Sequence, residues 1–324
     1  MDDAALVEEV LTGRRRALAK AITLVESTRS DHALRASRVL EALLPHAGRS
    51  IRVGISGAPG VGKSTFIEAL GLYLIGRGHR LAVLAVDPSS SRSGGSILGD
   101  KTRMERLSMR EEAFIRPSPA GGHLGGVAGK TREAILVCEA AGFDVVIVET
   151  VGVGQNETAV AGMTDVFVLM QLPNAGDELQ ALKKGIVELA DLVLVNKADI
   201  DPQAATLACA QLKGALSLLR PSSKFWQPRV LPVSAARDEA IAASWQVIEE
   251  YRTAMRSCGE FEAKRRHQAL AWMWTLIESA LIARFRGDPR VRAALPGLSA
   301  AVESGKTTPV AAADQLLAYL NQRS

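Results

Sequence analysis

Cysteine is scarce: Cys138, Cys209 and Cys258 are the only three in 324 residues and show no C-x-x-C spacing. That excludes a disulfide framework and a cysteine zinc site, and it fits thiols that stay reduced. No apolar stretch is long enough to span a bilayer, and the acidic start, Met1-Asp2-Asp3, leads into no secretory apolar core. The chain is therefore expected in the cytoplasm, without a membrane. Strong charge of one sign is also missing, since the formal net charge is +4. The short clusters Arg14-Arg15-Arg16 and Lys264-Arg265-Arg266 read as solvated helix faces, and no nucleic-acid partner is expected. Aromatics make up only 4% of the residues, so any helix that spends two tryptophans on different faces calls for an explanation.

Against these absences stands Gly57-Ala58-Pro59-Gly60-Val61-Gly62-Lys63-Ser64, which matches G-x-x-x-x-G-K-[ST] at each required position. The apolar run from Ile51 to Ile55 predicts a strand before it, and Lys63 to Leu74 predicts a helix after it. Gly57, Gly60 and Gly62 let backbone N–H groups converge on phosphate, with the helix N-terminus adding partial positive charge. Lys63 is expected on the β- and γ-phosphates and Ser64 on Mg²⁺, with Thr65 completing the phosphate-binding set.

Residues 1–48 carry apolar positions at helical spacing and form a helical prefix. From 49 to 238 short apolar strands alternate with helical segments: Arg80–Val86, Ala113–Arg116, Asp144–Val148, Asp165–Met170, Leu192–Val195 and Arg229–Val233. Nearly continuous apolar runs mark strands covered on both faces. The expected fold is α/β, a doubly wound, mostly parallel P-loop NTPase sheet flanked by helices. Residues 239–324 read as helices only. Within Phe261–Phe285 the side chains of Leu270, Trp274, Ile277, Leu281 and Phe285 share one stripe, while Trp272 lies about 200° from Trp274 at 100° per residue. One core cannot take both faces, so a self-association surface, hence a homodimer, is expected.

In such a sheet the loops at the carboxyl ends of the strands carry the chemistry. Asn196-Lys197-Ala198-Asp199 follows Leu192–Val195 and fits N-K-x-D: the Asp carboxylate accepts hydrogen bonds from guanine N1–H and the 2-amino group, neither of which adenine offers. Asn196 positions that loop, Lys197 covers the ring with its stem, and Ser234-Ala235 adds backbone contacts to the guanine oxygen. GTP and GDP are therefore the expected ligands. At another strand end, Glu149 is an acid suited to holding Mg²⁺, and Gly152 brings a backbone N–H to the γ-phosphate. Val153 stands where many signalling GTPases place a water-orienting Gln, which predicts slow turnover alone. Asp87 and Asp100, in the polar loop after Val86, are further metal-side carboxylates. Pro173–Lys184, with Asp177, Glu178 and Lys183, is a candidate nucleotide-responsive loop. A P-loop kinase passing the γ-phosphate to another acceptor is the alternative, against which N-K-x-D argues.

Taken together, GAPGVGKST, AVDPSSSRSGGSILGDKTRM, ETVGVGQNE and NKAD resemble the MeaB/ArgK family of P-loop GTPases over almost the whole chain. The resemblance implies a GTPase chaperone that gates cofactor loading and protects an adenosylcobalamin-dependent acyl-CoA mutase, usually methylmalonyl-CoA mutase, with the mutase stimulating hydrolysis. It also implies a homodimer through the C-terminal helices. By that likeness Lys63, Asp87 and Glu149 are catalytic, Ser64, Asp87, Asp100 and Glu149 are metal-side, Asn196, Lys197 and Asp199 form the guanine site, and Lys183 is the ion-pairing switch residue. The chain has no D-x-H-x-x-G signature for cobalamin's lower ligand, so the cofactor is expected in the partner.

Overall fold

The computed structural model describes residues 2–27, 29–86, 104–117, 124–150, 156–173, 184–219 and 223–321. The chain divides into two compact units, residues 1–268 and 269–324.

The first unit is built on seven parallel strands in the order β3-β2-β4-β1-β5-β6-β7. They are β1 (Ile51–Gly57), β2 (Leu81–Val86), β3 (Ala113–Arg116), β4 (Val145–Thr150), β5 (Val166–Gln171), β6 (Leu192–Val195) and β7 (Arg229–Pro232). Every position of β2, β4, β5 and β6 is buried, which is why these segments read as unbroken apolar runs instead of alternating ones. The expected strand ending at Val148 runs on to Thr150, because Glu149 and Thr150 keep register with Ala85 and Val86 of β2.

Helices cover both faces. On one lie α1 (Asp3–Leu11), α2 (Arg15–Glu26) and α3 (Ser30–Leu43), with α5 (Leu124–Ala140), α6 (Asn156–Ala161) and α7 (Pro202–Ser217). In α2 the buried residues Ala17, Leu18, Ala21, Ile22 and Val25 form one helical stripe. On the other face lie α4 (Lys63–Ile75) and α8 (Ile241–Ser257), whose Phe66, Leu70, Trp245, Ile248 and Tyr251 close the second core. The C-terminal region expected to begin at 239 thus gives α8 to the first unit.

At the amino ends of the strands an ionic cluster closes the sheet. The start of α9 (Glu260–Gly287) supplies Arg265, whose Nε and Nη2 each donate at 2.7 Å to the Asp165 carboxylate, and whose Nη1 and Nη2 reach the Gly48 and Ser50 carbonyls. Lys264 donates to the Asp165 carbonyl and lies 3.7 Å from Asp191. The expectation that Lys264-Arg265-Arg266 is a solvated face therefore fails for its first two members. The carboxylates that capture them, Asp165 and Asp191, stand just before β5 and β6, far away in sequence. Beside them Glu139 accepts from Arg52, Ser50 and the Gly48 N–H.

The second unit comprises the remainder of α9, then α10 (Pro289–Glu303) and α11 (Pro309–Asn321), with Val291 and Ala312 buried. Asp288 caps α10 by accepting from the Arg290 N–H. On α9 the side chains of Leu270, Trp274, Ile277 and Leu281 are exposed, while Trp272 is half-buried.

Candidate functional site

Because all seven strands are parallel, their carboxyl ends meet along one edge. β1 delivers the chain to Gly57 against β5: a Cβ there would lie 2.5 Å from the Met170 carbonyl oxygen, closer than any side chain tolerates. The loop then crests at the exposed Gly60 and returns through Gly62, which is left-handed at φ 95°. A Cβ on Gly62 would lie 2.5 Å from Asn196 Nδ2, so both the backbone conformation and the neighbour demand glycine. Gly62 is the N-cap of α4 and contributes no side-chain hydrogen bond to the first turn. The helix therefore opens with backbone N–H groups directed at the loop, an arrangement suited to phosphate.

Lys63 is buried, and its Nζ donates to the Gly57 and Ala58 carbonyls at 2.7 and 3.2 Å. The ammonium thus lies against the same loop whose N–H groups would receive the anion. Ser64 Oγ donates to Glu149 Oε1 at 3.4 Å, bringing a hydroxyl from α4 to the carboxylate at the end of β4. Two hard oxygen ligands side by side fit Mg²⁺, which binds through one or two protein oxygens together with phosphate oxygens and water. Among the described residues no group of three or more His, Cys, Asp or Glu is placed to hold a metal ion. Thr65 is exposed on the first turn of α4. Behind Glu149, the buried Thr150 hydroxyl donates to Ser56 Oγ at 2.9 Å and ties β4 to β1 just below the loop.

The carboxyl ends of β6 and β7 supply the second half of the site. Asn196, 2% exposed, donates from Nδ2 to the Val61 carbonyl at 2.7 Å and accepts at Oδ1 from the Ala235 N–H at 3.0 Å. One carboxamide thereby joins the phosphate loop, N-K-x-D and the Ser234-Ala235 turn. Lys197 adopts a left-handed backbone at φ 61°, and Ala198 N–H donates to the Val233 carbonyl, which holds the loop against β7. The Asp199 carboxyl is held below the usual carboxylate range by the Ser234 hydroxyl first and by the Arg237 charge as well. Arg237 Nε lies 3.2 Å from Asp199 Oδ2. An ionised Asp199 is the form that accepts hydrogen bonds from a base edge.

Of the expected site residues, the structure thus gathers Gly57, Gly60, Gly62, Lys63, Ser64, Glu149, Asn196, Lys197, Asp199, Ser234 and Ala235 on one edge. Asp87, Asp100, Gly152, Val153, Asp177, Glu178 and Lys183 lie outside the described residues. Arg237 and the Ser56–Thr150 pair were not foreseen. A polar residue three positions after Ser234 was the only signal for the first, and a hydroxyl at the same depth in two neighbouring strands the only one for the second.

Comparison with known proteins bears on this site. The family described as methylmalonyl Co-A mutase-associated GTPase MeaB matches residues 18–290. A putative GTPase of Caulobacter vibrioides is 52% identical, with 98% of each chain covered. The mouse protein named methylmalonic aciduria type A homolog, mitochondrial, is 47% identical over 97% of this chain and 78% of its own. GTPase ArgK of Escherichia coli is 47% identical over 84% of each chain. A crystal structure titled LAO/AO transport system kinase superposes with a TM-score of 0.80 at 36% identity, covering 99% of this chain and 98% of that one.

Proposed function

The chain belongs to the family of methylmalonyl-CoA mutase-associated GTPases MeaB, and on that premise we propose that it hydrolyses GTP with Mg²⁺ to gate cofactor loading into, and to protect, an adenosylcobalamin-dependent acyl-CoA mutase. Methylmalonyl-CoA mutase is the partner this reading names, after the family's own description. The observation that carries the GTP half is the Asn196 carboxamide, bonded at once to Val61 of the phosphate loop and to Ala235 of the base-side turn. A fold that needed only a triphosphate would have no use for a fixed distance between phosphate loop and base reader.

In this mechanism water attacks the γ-phosphorus, the bond to the β–γ bridging oxygen breaks, and GDP and phosphate leave. The loop N–H groups and Lys63 stabilise the charge on the phosphate oxygens and hold the chain in line. Ser64 and Glu149 are the residues that would hold Mg²⁺, which would supply neutralisation of phosphate charge. Asp87 and Asp100 join the metal side, Gly152 the γ-phosphate, and Asp177, Glu178 and Lys183 the nucleotide-responsive switch. Loss of the γ-phosphate then shifts the population of the loop conformations that contact the mutase. The kinase alternative has less support, because the Caulobacter vibrioides and Escherichia coli relatives are named GTPases and Asp199 suits a guanine.

The same reading makes the protein a homodimer through the exposed apolar face of α9. Among the described residues no helix is long and apolar enough to cross a membrane, and the three free cysteines fit the reducing cytoplasm, where we place it. The experiment that tests the proposal is GTP turnover with and without purified acyl-CoA mutases. Slow hydrolysis alone, raised by one mutase, is expected. Turnover unmoved by any mutase removes the partner, and labelled phosphate passed to an acceptor other than water overturns the hydrolase.

A further inference from the structure

No sequence motif points to Arg237, yet the chain goes to some length to place it. The turn after β7 begins at Ser234 and is closed by an antiparallel bridge to Glu239, with Glu239 N–H donating to the Ser234 carbonyl at 3.0 Å and Ser234 N–H to the Glu239 carbonyl at 3.2 Å. Arg237 N–H also donates to the Ser234 carbonyl, at 3.3 Å. Three non-glycine residues have left-handed backbones among the described residues: Lys197, Asp238 and Ala240. All three fall in the two loops on the base side of the site. Such conformations are unfavourable for side-chain-bearing residues and persist only where the surroundings fix them. Here the Ser234–Glu239 bridge and the buried Asn196–Ala235 bond do so.

The result of this arrangement is the approach of Arg237 Nε to Asp199 Oδ2 at 3.2 Å. The two side chains differ in exposure, 62% for Arg237 and 13% for Asp199. A carboxylate offers about four acceptor sites, so one guanidinium N–H leaves the others open to a base. Without that anchor only the neighbouring Ser234 hydroxyl orients the carboxylate, and a ligand bears more of the cost of ordering it.

We infer that Arg237 is a positioning residue for guanine recognition, holding Asp199 so that both carboxylate oxygens are presented to the N1–H and the 2-amino group of the base. This rests on the GTP reading above. The inference concerns discrimination rather than hydrolysis, so its readout is the ratio of affinities for two ligands that differ by the 2-amino group alone, GDP and IDP.

The test is titration of the full chain, R237Q, R237K and D199A with GDP and with IDP at low and high salt. R237Q is expected to lower the GDP-over-IDP preference by about 1.4- to fivefold, the range of an exposed ion pair. R237K restores part of it, because the charge returns without the guanidinium fork. The difference between parent and R237Q shrinks at high salt, because the pair is open to solvent. A preference in R237Q equal to that of the parent, while D199A abolishes it, overturns the role of Arg237 and leaves the guanine reading standing. A preference unmoved by D199A overturns both. General damage to the fold would weaken GDP and IDP alike, so it cannot imitate the expected result.

Discussion

Asn196 Nδ2 donates to the Val61 carbonyl at 2.7 Å, across 135 residues of sequence, and the amide stands where a Cβ on Gly62 would have to go. One buried side chain therefore joins the glycine loop to the N-K-x-D loop, and under the GTP reading damage at Asn196 should register at both ends of the nucleotide.

Asn196→Ala leaves the Val61 carbonyl and the Ala235 N–H without their partner in a buried setting, at about 1–3 kcal/mol for each unsatisfied group. The expected outcome is at least tenfold faster release of a fluorescent GDP analogue. Asn196→Asp should not rescue it, since a carboxylate can accept from Ala235 but cannot donate to Val61.

Ser64→Ala removes the hydroxyl and Glu149→Gln the negative charge of two groups whose oxygens stand 3.4 Å apart. Each should raise the Mg²⁺ concentration needed for half-maximal GTP hydrolysis. Because the groups are in contact, the double variant should fall short of the sum of the two effects. Strict additivity in a Mg²⁺ titration would show that they do not share an ion.

Arg265→Met strands the Asp165 carboxylate, 1% exposed, in the base of the sheet. Breaking a buried pair from one side costs about 3–5 kcal/mol, to be read as a lowered midpoint of chemical denaturation. Adding Asp165→Asn should recover part of this, since the amide oxygen still accepts from the Arg52 N–H, which now donates to Asp165 Oδ2 at 2.7 Å.

Two buried carboxyls give opposite pH dependence. Burial raises the Glu139 pKa, but Arg52, Ser50 and the Gly48 N–H more than reverse this and hold it below its ordinary 4.5. Its stabilising contribution is complete above that value and is lost as pH falls through the lower folded-state pKa. Burial raises Asp191, with Lys264 opposing, so its contribution is complete below 3.8 and is lost as pH rises through the higher folded-state pKa. Denaturation followed across pH should show Glu139→Gln flattening the acid limb, and Asp191→Asn gaining on the parent as pH rises.

Much of this protein was legible in the sequence because the signals are local. An apolar run buried on both faces, a glycine loop before a helix, and N-K-x-D after a strand each declare themselves within a dozen residues. Parallel topology then brings Lys63, Glu149 and Asn196 to one edge without further information. The strand ends of Ala113–Arg116 and Leu192–Val195 fell where the apolar runs stop, whereas Thr150 stayed in β4 because a neighbouring strand holds its register.

By itself, then, the sequence determined the sheet, the phosphate loop and the choice of guanine, since each depends on residue type at fixed spacing. The tertiary structure alone decided which charges are paired and which faces are covered. Lys264 and Arg265 look like any basic helix surface until Asp191 and Asp165 are folded beneath them. Arg237 is an ordinary turn residue until the bridge between Ser234 and Glu239 sets it beside Asp199. The stripe on α9 has the spacing of a core but no core to meet within its own unit. Periodicity records that a face is apolar and is silent on what covers it.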